Sequence, residues 1–217
     1  VYLEEGGVLN IEAGTVIKGK ESPSTTDLAS TLIITRGAQI FAEGTASNPI
    51  IFTAEGDDPT DPNEGFGTSA RGLWGGLIVL GEGVLGDRTS EVVVEGLPEM
   101  EARALYGGND DEDNSGVIRY VSIRHGGAAL APGNEINGLT LGAVGSKTTI
   151  EFVEVFANFD DGIEWFGGTV SVKYAAVSFC GDDSYDYDTG WRGNGQFWFS
   201  LQAGNTGDNA GEHDGAK

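Results

Sequence analysis

TIEFVEVFANFDD (residues 149–161) returns twenty-two residues later as SVKYAAVSFCGDD (171–183). Phe152 meets Tyr174, Asp160 meets Asp182 and Asp161 meets Asp183; just beyond, Glu164 meets Asp186. Both stretches are short and β-branched, and both end in a pair of aspartates. VIRYVSIRHGG (117–127) belongs to the same set with Tyr120 aligned, and GQFWFSLQ (195–202) continues it with Gln196 twenty-two residues beyond Tyr174. Upstream, VLNIEAGTVIKG (8–19) and TLIITRGAQIFAEG (31–44) match at an offset of 23, pairing Leu9 with Leu32, Ile11 with Ile34, Gly14 with Gly37 and Ile17 with Ile40. PIIFTAEGDD (49–58) and GLWGGLIVLGEG (72–83) read as further strands.

Short strands returning every 22–23 residues with glycine corners mark a parallel solenoid, in which each period is one coil. Equivalent residues then lie one strand apart, about 4.8 Å. An antiparallel sandwich would call for tight hairpin turns and gives no reason for a fixed offset of this length. The expected fold is an all-β, right-handed parallel β-helix of about seven coils, one domain over 1–217. Segments 54–71, 82–116, 126–147 and 203–211 are rich in Gly, Asp, Asn and Pro, and read as loops leaving the coil corners. Loops on a rigid scaffold are where function concentrates.

Composition agrees. There are 36 glycines among 217 residues, and no apolar run is long enough to span a bilayer. Thirty-four acidic residues against 12 basic give a net charge of -22, which argues against nucleic acid and anionic membranes as partners. The acids cluster in runs at 57–61, 110–113, 160–164 and 182–188. The single cysteine, Cys180, excludes an intrachain disulfide and reads as a buried thiol. The chain begins at Val1 without a signal peptide, as a mature or trimmed piece would.

Carboxylates stacked one strand apart repel unless a cation lies between them or one keeps its proton. Carboxylate and amide oxygens are hard ligands that suit Ca²⁺. On this reading Asp160, Asp161, Glu164, Asp182, Asp183 and Asp186 are candidate ligands, and Asp214 of GEHDG (211–215) extends the column of Asp161 and Asp183. A second candidate is GGNDDEDNSG (107–116), where Asp111, Asp113, Ser115 and Gly116 reproduce the opening D-x-D-x-S-G of a calcium loop. Its twelfth position holds Ser122 where an acid is expected, and a strand follows where an EF-hand has a helix. His125 and His213 have no partners at transition-metal spacing. Arg71, Arg119, Arg124 and Arg192 read as partners for nearby acids, with Arg192 an alternative anchor for an acidic substrate group.

The protonated alternative is catalytic, since glycosidases work with paired carboxyl groups. Trp165, Phe166, Tyr185, Tyr187 and Trp191 would then offer sugar-stacking surfaces, while Phe152, Tyr174 and Phe197 read as core ladder. Asn158-Phe159-Asp160 followed by Gly181-Asp182-Asp183 resembles the N-x-D and D-D motifs of polygalacturonase-type glycoside hydrolases. That resemblance implies catalysis by Asp160, Asp182 and Asp183. The G-H-G motif of those enzymes is replaced by Glu212-His213-Asp214, and their R-x-K is absent.

A broader resemblance covers most of the chain, through LNIEAGTVIKG, LIITRGAQIFAEGTASNPIIFTA, RGLWGGLIVLG, YGGNDDEDNSGVIRYVSIRHGG and FCGDDSYDYDTGWRGNGQFWF. It is to secreted bacterial β-helix proteins, surface proteins or lipoproteins of Bacteroidota and marine proteobacteria. It implies an extracellular or cell-surface location and a longer parent chain. The leading expectation is a calcium-stabilised surface or adhesion module that meets polysaccharide or cell-surface components and self-associates end to end. The alternative is a hydrolase or lyase acting on acidic polysaccharide.

Overall fold

In the computed structural model, residues 1–21, 29–61, 65–86, 91–128 and 136–215 are described. Two parallel sheets run the length of the molecule. The first stacks Tyr2–Leu3, Leu32–Ile34, Leu77–Leu80, Leu139–Gly142, Ile163–Phe166, Tyr185–Asp188 and Glu212–His213, in that order. The second runs from Val8–Ile11 through Gln39–Glu43, Gly116–Arg124, Thr149–Phe156 and Val172–Ser178 to Gly195–Leu201, with Val16–Gly19 and Ile50–Ala54 alongside. Neighbouring strands within these sheets are parallel, and the chain alternates between the sheets: the fold is a right-handed parallel β-helix.

The regular coils keep the expected register. Glu164 pairs with Asp186, and Val153 with Ala175, each at the twenty-two-residue offset. Inward positions form unbroken apolar columns, for example Val79, Leu141, Trp165 and Tyr187 on one wall and Val121, Val153, Ala175 and Trp198 on another. Parallel strands buried on their inner face need such ladders, because each coil has only its neighbours to pack against.

Corners are set by residues in the left-handed region, and these stack too. Tyr120, Phe152, Tyr174 and Phe197 (φ 47–61°) bend the second sheet; His125, Ala157 and Phe179 (φ 54–61°) close its far edge; Ala143, Gly167 and Thr189 (φ 49–68°) follow the first sheet. A non-glycine residue there costs of order 1 kcal/mol. In the first column, ring stacking at 4.4, 4.4 and 4.8 Å offsets part of it. These rings lie outside the core: Tyr174 is 42% and Phe197 59% exposed, so the core-ladder expectation for Phe152, Tyr174 and Phe197 is corrected. The left-handed turn rotates each ring outward, and Phe197, not Gln196, stacks on Tyr174.

The upstream repeat also departs from expectation. Leu9 pairs with Ile40 and Ile17 with Phe52, while Ile34 stacks on Leu3 in the other sheet. Segments 8–19 and 31–44 are each two strands about a glycine turn, but they turn at different corners of the coil. The expected loop 126–147 contains the strand Leu139–Gly142. Residues 62–64, 87–90 and 129–135 of the expected loops lie outside the described residues.

The segment 82–116 is more than a loop. Val92–Val93 and Leu105–Tyr106 form an antiparallel ribbon. With Leu85, Val94 and Leu97 it packs on Ile33, Ile78, Leu80 and Phe166, building a second apolar core on the outer face of the first sheet. That face therefore changes along the molecule. Ile78 stacks on Thr140, Thr140 on Glu164, Glu164 on Asp186 and Asp186 on Glu212.

Candidate functional site: a ladder of carboxylates

The turn from the second sheet to the first brings the acids together. It begins at the left-handed Ala157 and Phe179, whose N–H groups donate to Ser178 and Leu201 of the next coil. Asn158 Nδ2 donates to the Asp161 carbonyl at 2.7 Å and braces the turn. One coil on, a β-carbon at Gly181 would lie 1.8 Å from the Phe159 carbonyl oxygen, so only glycine lets the two turns nest. The Asp183 N–H then donates to Asp161 Oδ1 at 2.8 Å, and the Asn209 N–H to Asp183 Oδ1. The residue that continues the Asp161–Asp183 column is therefore Asn209. Asp214 donates its N–H to the Tyr187 carbonyl, two residues past the Asp186–Glu212 pair, and belongs to the column of Asp188. The 203–211 loop adds four residues to that coil and shifts the register.

Three overlapping acidic groups result, each with one carboxylate oxygen per residue within 4.8 Å of the others: Asp160, Asp161 and Asp182; Asp182, Asp183 and Asp208; and Asp161, Glu164 and Asp186. Six sequence-identified residues are thus brought together. Asp111, Asp113 and Ser115 stand apart. Asp111 is gripped by both Arg192 Nη atoms at 2.8 Å and accepts the Val84 N–H, which holds its carboxyl below the usual range. Asp113 accepts Ser115 Oγ at 3.2 Å and is raised by burial.

The ladder is electrostatically loaded. Burial first, and then the charge of Asp160, push Asp161 up to about 9. Burial raises Glu164, reinforced by Glu95, and also raises Asp186. Asp183 is 2% exposed, and its Oδ2 is buried without a hydrogen-bond partner. Unpaired buried oxygens of this kind are costly and call for an explanation.

Beside the ladder, Arg71, Phe159, Asp160, Gly181, Asp182 and Thr206 line an open groove of about 400 Å³. Arg71 is fixed there by hydrogen bonds to the Phe179 carbonyl (2.6 Å) and Thr206 Oγ1 (3.0 Å). Of the aromatics near the ladder, Phe159 is the one large exposed ring. Trp165 and Tyr185 are buried in the coil against Trp198, Phe166 lies under the ribbon, and Trp191 and Tyr187 pack against the core, so the stacking surfaces expected of these five are corrected. Arg119 and Arg124 pair with Glu151 and Glu154.

Sequence reasoning missed Glu95, Asn137 and Asp208. Asn137 had a signal: NGLTLG (137–142) precedes DGIEWF (161–166) by one coil in the same pattern. Glu95 and Asp208 arrive on insertions, where no period operates.

The geometry defines a β-helix with an acidic, groove-flanked turn. A family model described as a pectate-lyase-like β-helix domain matches residues 1–217, and the chain belongs to that family. Comparison with curated proteins finds no match, and comparison with solved structures finds none.

Proposed function

We propose that this chain is a calcium-stabilised β-helical module that works outside the cell or at the bacterial cell surface, in contact with polysaccharide or other surface components. The observation that carries the reading is a pair of overlapping carboxylate triads, Asp160, Asp161 and Asp182 and then Asp182, Asp183 and Asp208, each with oxygens close enough to share a cation, with a buried unpartnered oxygen on Asp183. Oxygen-only donors of variable denticity suit Ca²⁺ above transition metals. The test is thermal unfolding in excess calcium and in chelator. A cation bound to the native state alone stabilises by RT ln(1 + [L]/Kd), about 4 kcal/mol at a thousandfold excess over Kd. An unchanged midpoint would sink the reading.

A second reading is favoured by the groove. Arg71 and the exposed Phe159 beside Asp160 and Asp182 offer a charge, a ring face and a pair of carboxyl groups to an acidic sugar chain. On this reading Asp160, Asp182 and Asp183 perform hydrolysis or elimination. Asp182→Asn separates the two: a scaffold loses calcium affinity or stability, whereas an enzyme loses turnover with its fold intact. Failure of the wild type to shorten polygalacturonate or other acidic polysaccharides removes the catalytic reading.

A further inference from the structure

Arg71 enters the groove from a strap, residues 66–73, whose footing is a buried histidine. His125 is 1% exposed and follows the strand Gly116–Arg124 in the left-handed region. Its Nδ1 donates to the Ala70 carbonyl at 2.7 Å, which fixes the tautomer: the neutral ring carries its proton on Nδ1 and leaves Nε2 bare. The rings of Phe66 from the strap and Phe156 from the next coil stand nearly perpendicular to it, each 5.6 Å away. The His125 carbonyl accepts the Leu73 N–H at 3.0 Å. The next carbonyl, that of Gly126, accepts both the Gly72 N–H at 2.7 Å and the Phe159 N–H at 3.0 Å. Two walls of the groove, Arg71 and Phe159, therefore hang from His125 and Gly126.

These surroundings suit the neutral ring and not the cation. Nε2 stands 3.9 Å from Asp57 Oδ2, beyond hydrogen-bond distance. Both Asp57 oxygens already accept, from Thr53 Oγ1 at 2.5 Å and the Phe66 N–H at 2.7 Å. The other charges nearby are engaged. Arg124, beside the ring on its own strand, pairs with Glu154 of the next coil. Lys18 of the first coil donates to the Asp57 carbonyl, and Arg71 turns away to the Phe179 carbonyl and Thr206. A proton added to Nε2 finds no acceptor at bonding distance in a place almost closed to water, where an unpaired donor is costly. Burial accordingly pushes His125 below its usual 6.5, outweighing the Ala70 carbonyl and Asp57, which favour the cation.

We propose that His125 is an acid-sensitive latch: the neutral ring holds the 66–73 strap, and with it Arg71, in the groove, and protonation releases the strap. The strap is the part that yields. The strands Gly116–Arg124 and Thr149–Phe156 on the ring's other sides are paired along both edges, whereas residues 66–73 belong to no ladder. The sign follows from linkage. A histidine whose folded value is depressed contributes stability that is present above 6.5 and is lost as the pH falls toward the folded value. The latch concerns how the groove wall is held, and depends on neither the calcium nor the catalytic reading.

Hydrogen exchange of the whole chain in chelator, at pH 7 and pH 5 and corrected for the intrinsic rate at each, reads the latch at the Phe66, Gly72 and Leu73 amides. Protection there should fall severalfold on acidification, to a ceiling of about 25-fold set by a released ring that titrates near 6.5. The amides of Thr149–Phe156 should keep theirs. His125→Asn retains a donor for the Ala70 carbonyl and tolerates the left-handed backbone, but it cannot titrate, so the acid loss should vanish. Asp57→Asn removes a charge that favours the cation and should enlarge the loss, which keeps the test open if His125→Asn does not fold. Equal protection at the two pH values in the wild type overturns the proposal. So does an acid loss that persists in His125→Asn, spreads equally to Thr149–Phe156, or fails to grow in Asp57→Asn.

Discussion

Replacing Asp161 with asparagine should stabilise the calcium-free protein, by an amount that grows with pH. In the fold Asp161 keeps its proton up to about 9, against 3.8 in the unfolded chain, because burial and Asp160 disfavour its charge. A carboxyl whose folded pKa is raised contributes its full stability only below the unfolded value. Between the two values the unfolded chain releases a proton that the folded chain retains, and stability falls by about 1.4 kcal/mol per pH unit. At pH 7 the cumulative cost is on the order of 4 kcal/mol. Asparagine has no charge to lose, and its Oδ1 can still accept the Asp183 N–H that Asp161 accepts at 2.8 Å. Urea unfolding in chelator at pH 5 and pH 7 measures the effect. The variant's advantage over wild type should widen by about 2.7 kcal/mol between those two points. In saturating calcium the order should reverse, since a ligand has been removed. An advantage that is the same at both pH values in chelator would refute the assignment of a retained proton to Asp161.

Three further outcomes follow from the packing. Gly116→Ala should destabilise by more than about 3 kcal/mol, because its β-carbon would lie 2.0 Å from the Ile40 carbonyl oxygen of the paired strand, at φ 110°; a urea midpoint within error of wild type would count against this register. Trp165→Ala should cost about 3–5 kcal/mol, since Trp165 is fully buried between Trp191 and Trp198; the same urea titration reads it. Arg192→Ala should change global stability by less than about 1 kcal/mol, because its pair with Asp111 is half-exposed. It should instead speed hydrogen exchange in residues 110–114, and unchanged exchange would mean that the pair does not tether this loop.

What could be read from sequence follows the coil length. Where consecutive coils differ by twenty-two residues, the pairing of Glu164 with Asp186 and the stack of Phe152 on Tyr174 were visible as identity of type at fixed spacing. Where an insertion intervenes, the register is set by loop length, and similarity alone misleads. Leu9 resembles Leu32 because both open a strand–glycine–strand unit, yet Leu9 lies against Ile40. The ribbon of 91–107 was hidden for a different reason. Its Val92–Val94 run looks like a stray apolar patch in an acidic loop, and its meaning depends on Ile78, Leu80 and Phe166 facing outward, which alternation in one strand cannot reveal. Glu95 was lost with it.

The column through the turn reads Asn137, Asp161, Asp183 and Asn209, and this order bears on why the acids are there. The turn needs an oxygen at Asp161 and Asp183 to accept the N–H of the coil above. An asparagine oxygen would meet that need without charge; asparagine occupies both outer positions of the column, where the Asn137 Oδ1 stays without a partner. The two central residues are therefore acids where the backbone geometry requires only an acceptor, in a place where burial disfavours ionisation. A β-helix multiplies such a choice, because parallel register sets like side chains about 4.8 Å apart. If the charge served solubility alone, exposed positions would provide it at no cost in stability. Asp183, 2% exposed with one oxygen unpartnered, does not fit that use. Replacing Asp183 with asparagine keeps the acceptor for Asn209 and removes only the charge, so it isolates what the charge is for. Calcium-dependent stabilisation should fall in this variant while calcium-free stability holds or rises. Equal calcium dependence in variant and wild type would mean that the buried charge has no cation to meet.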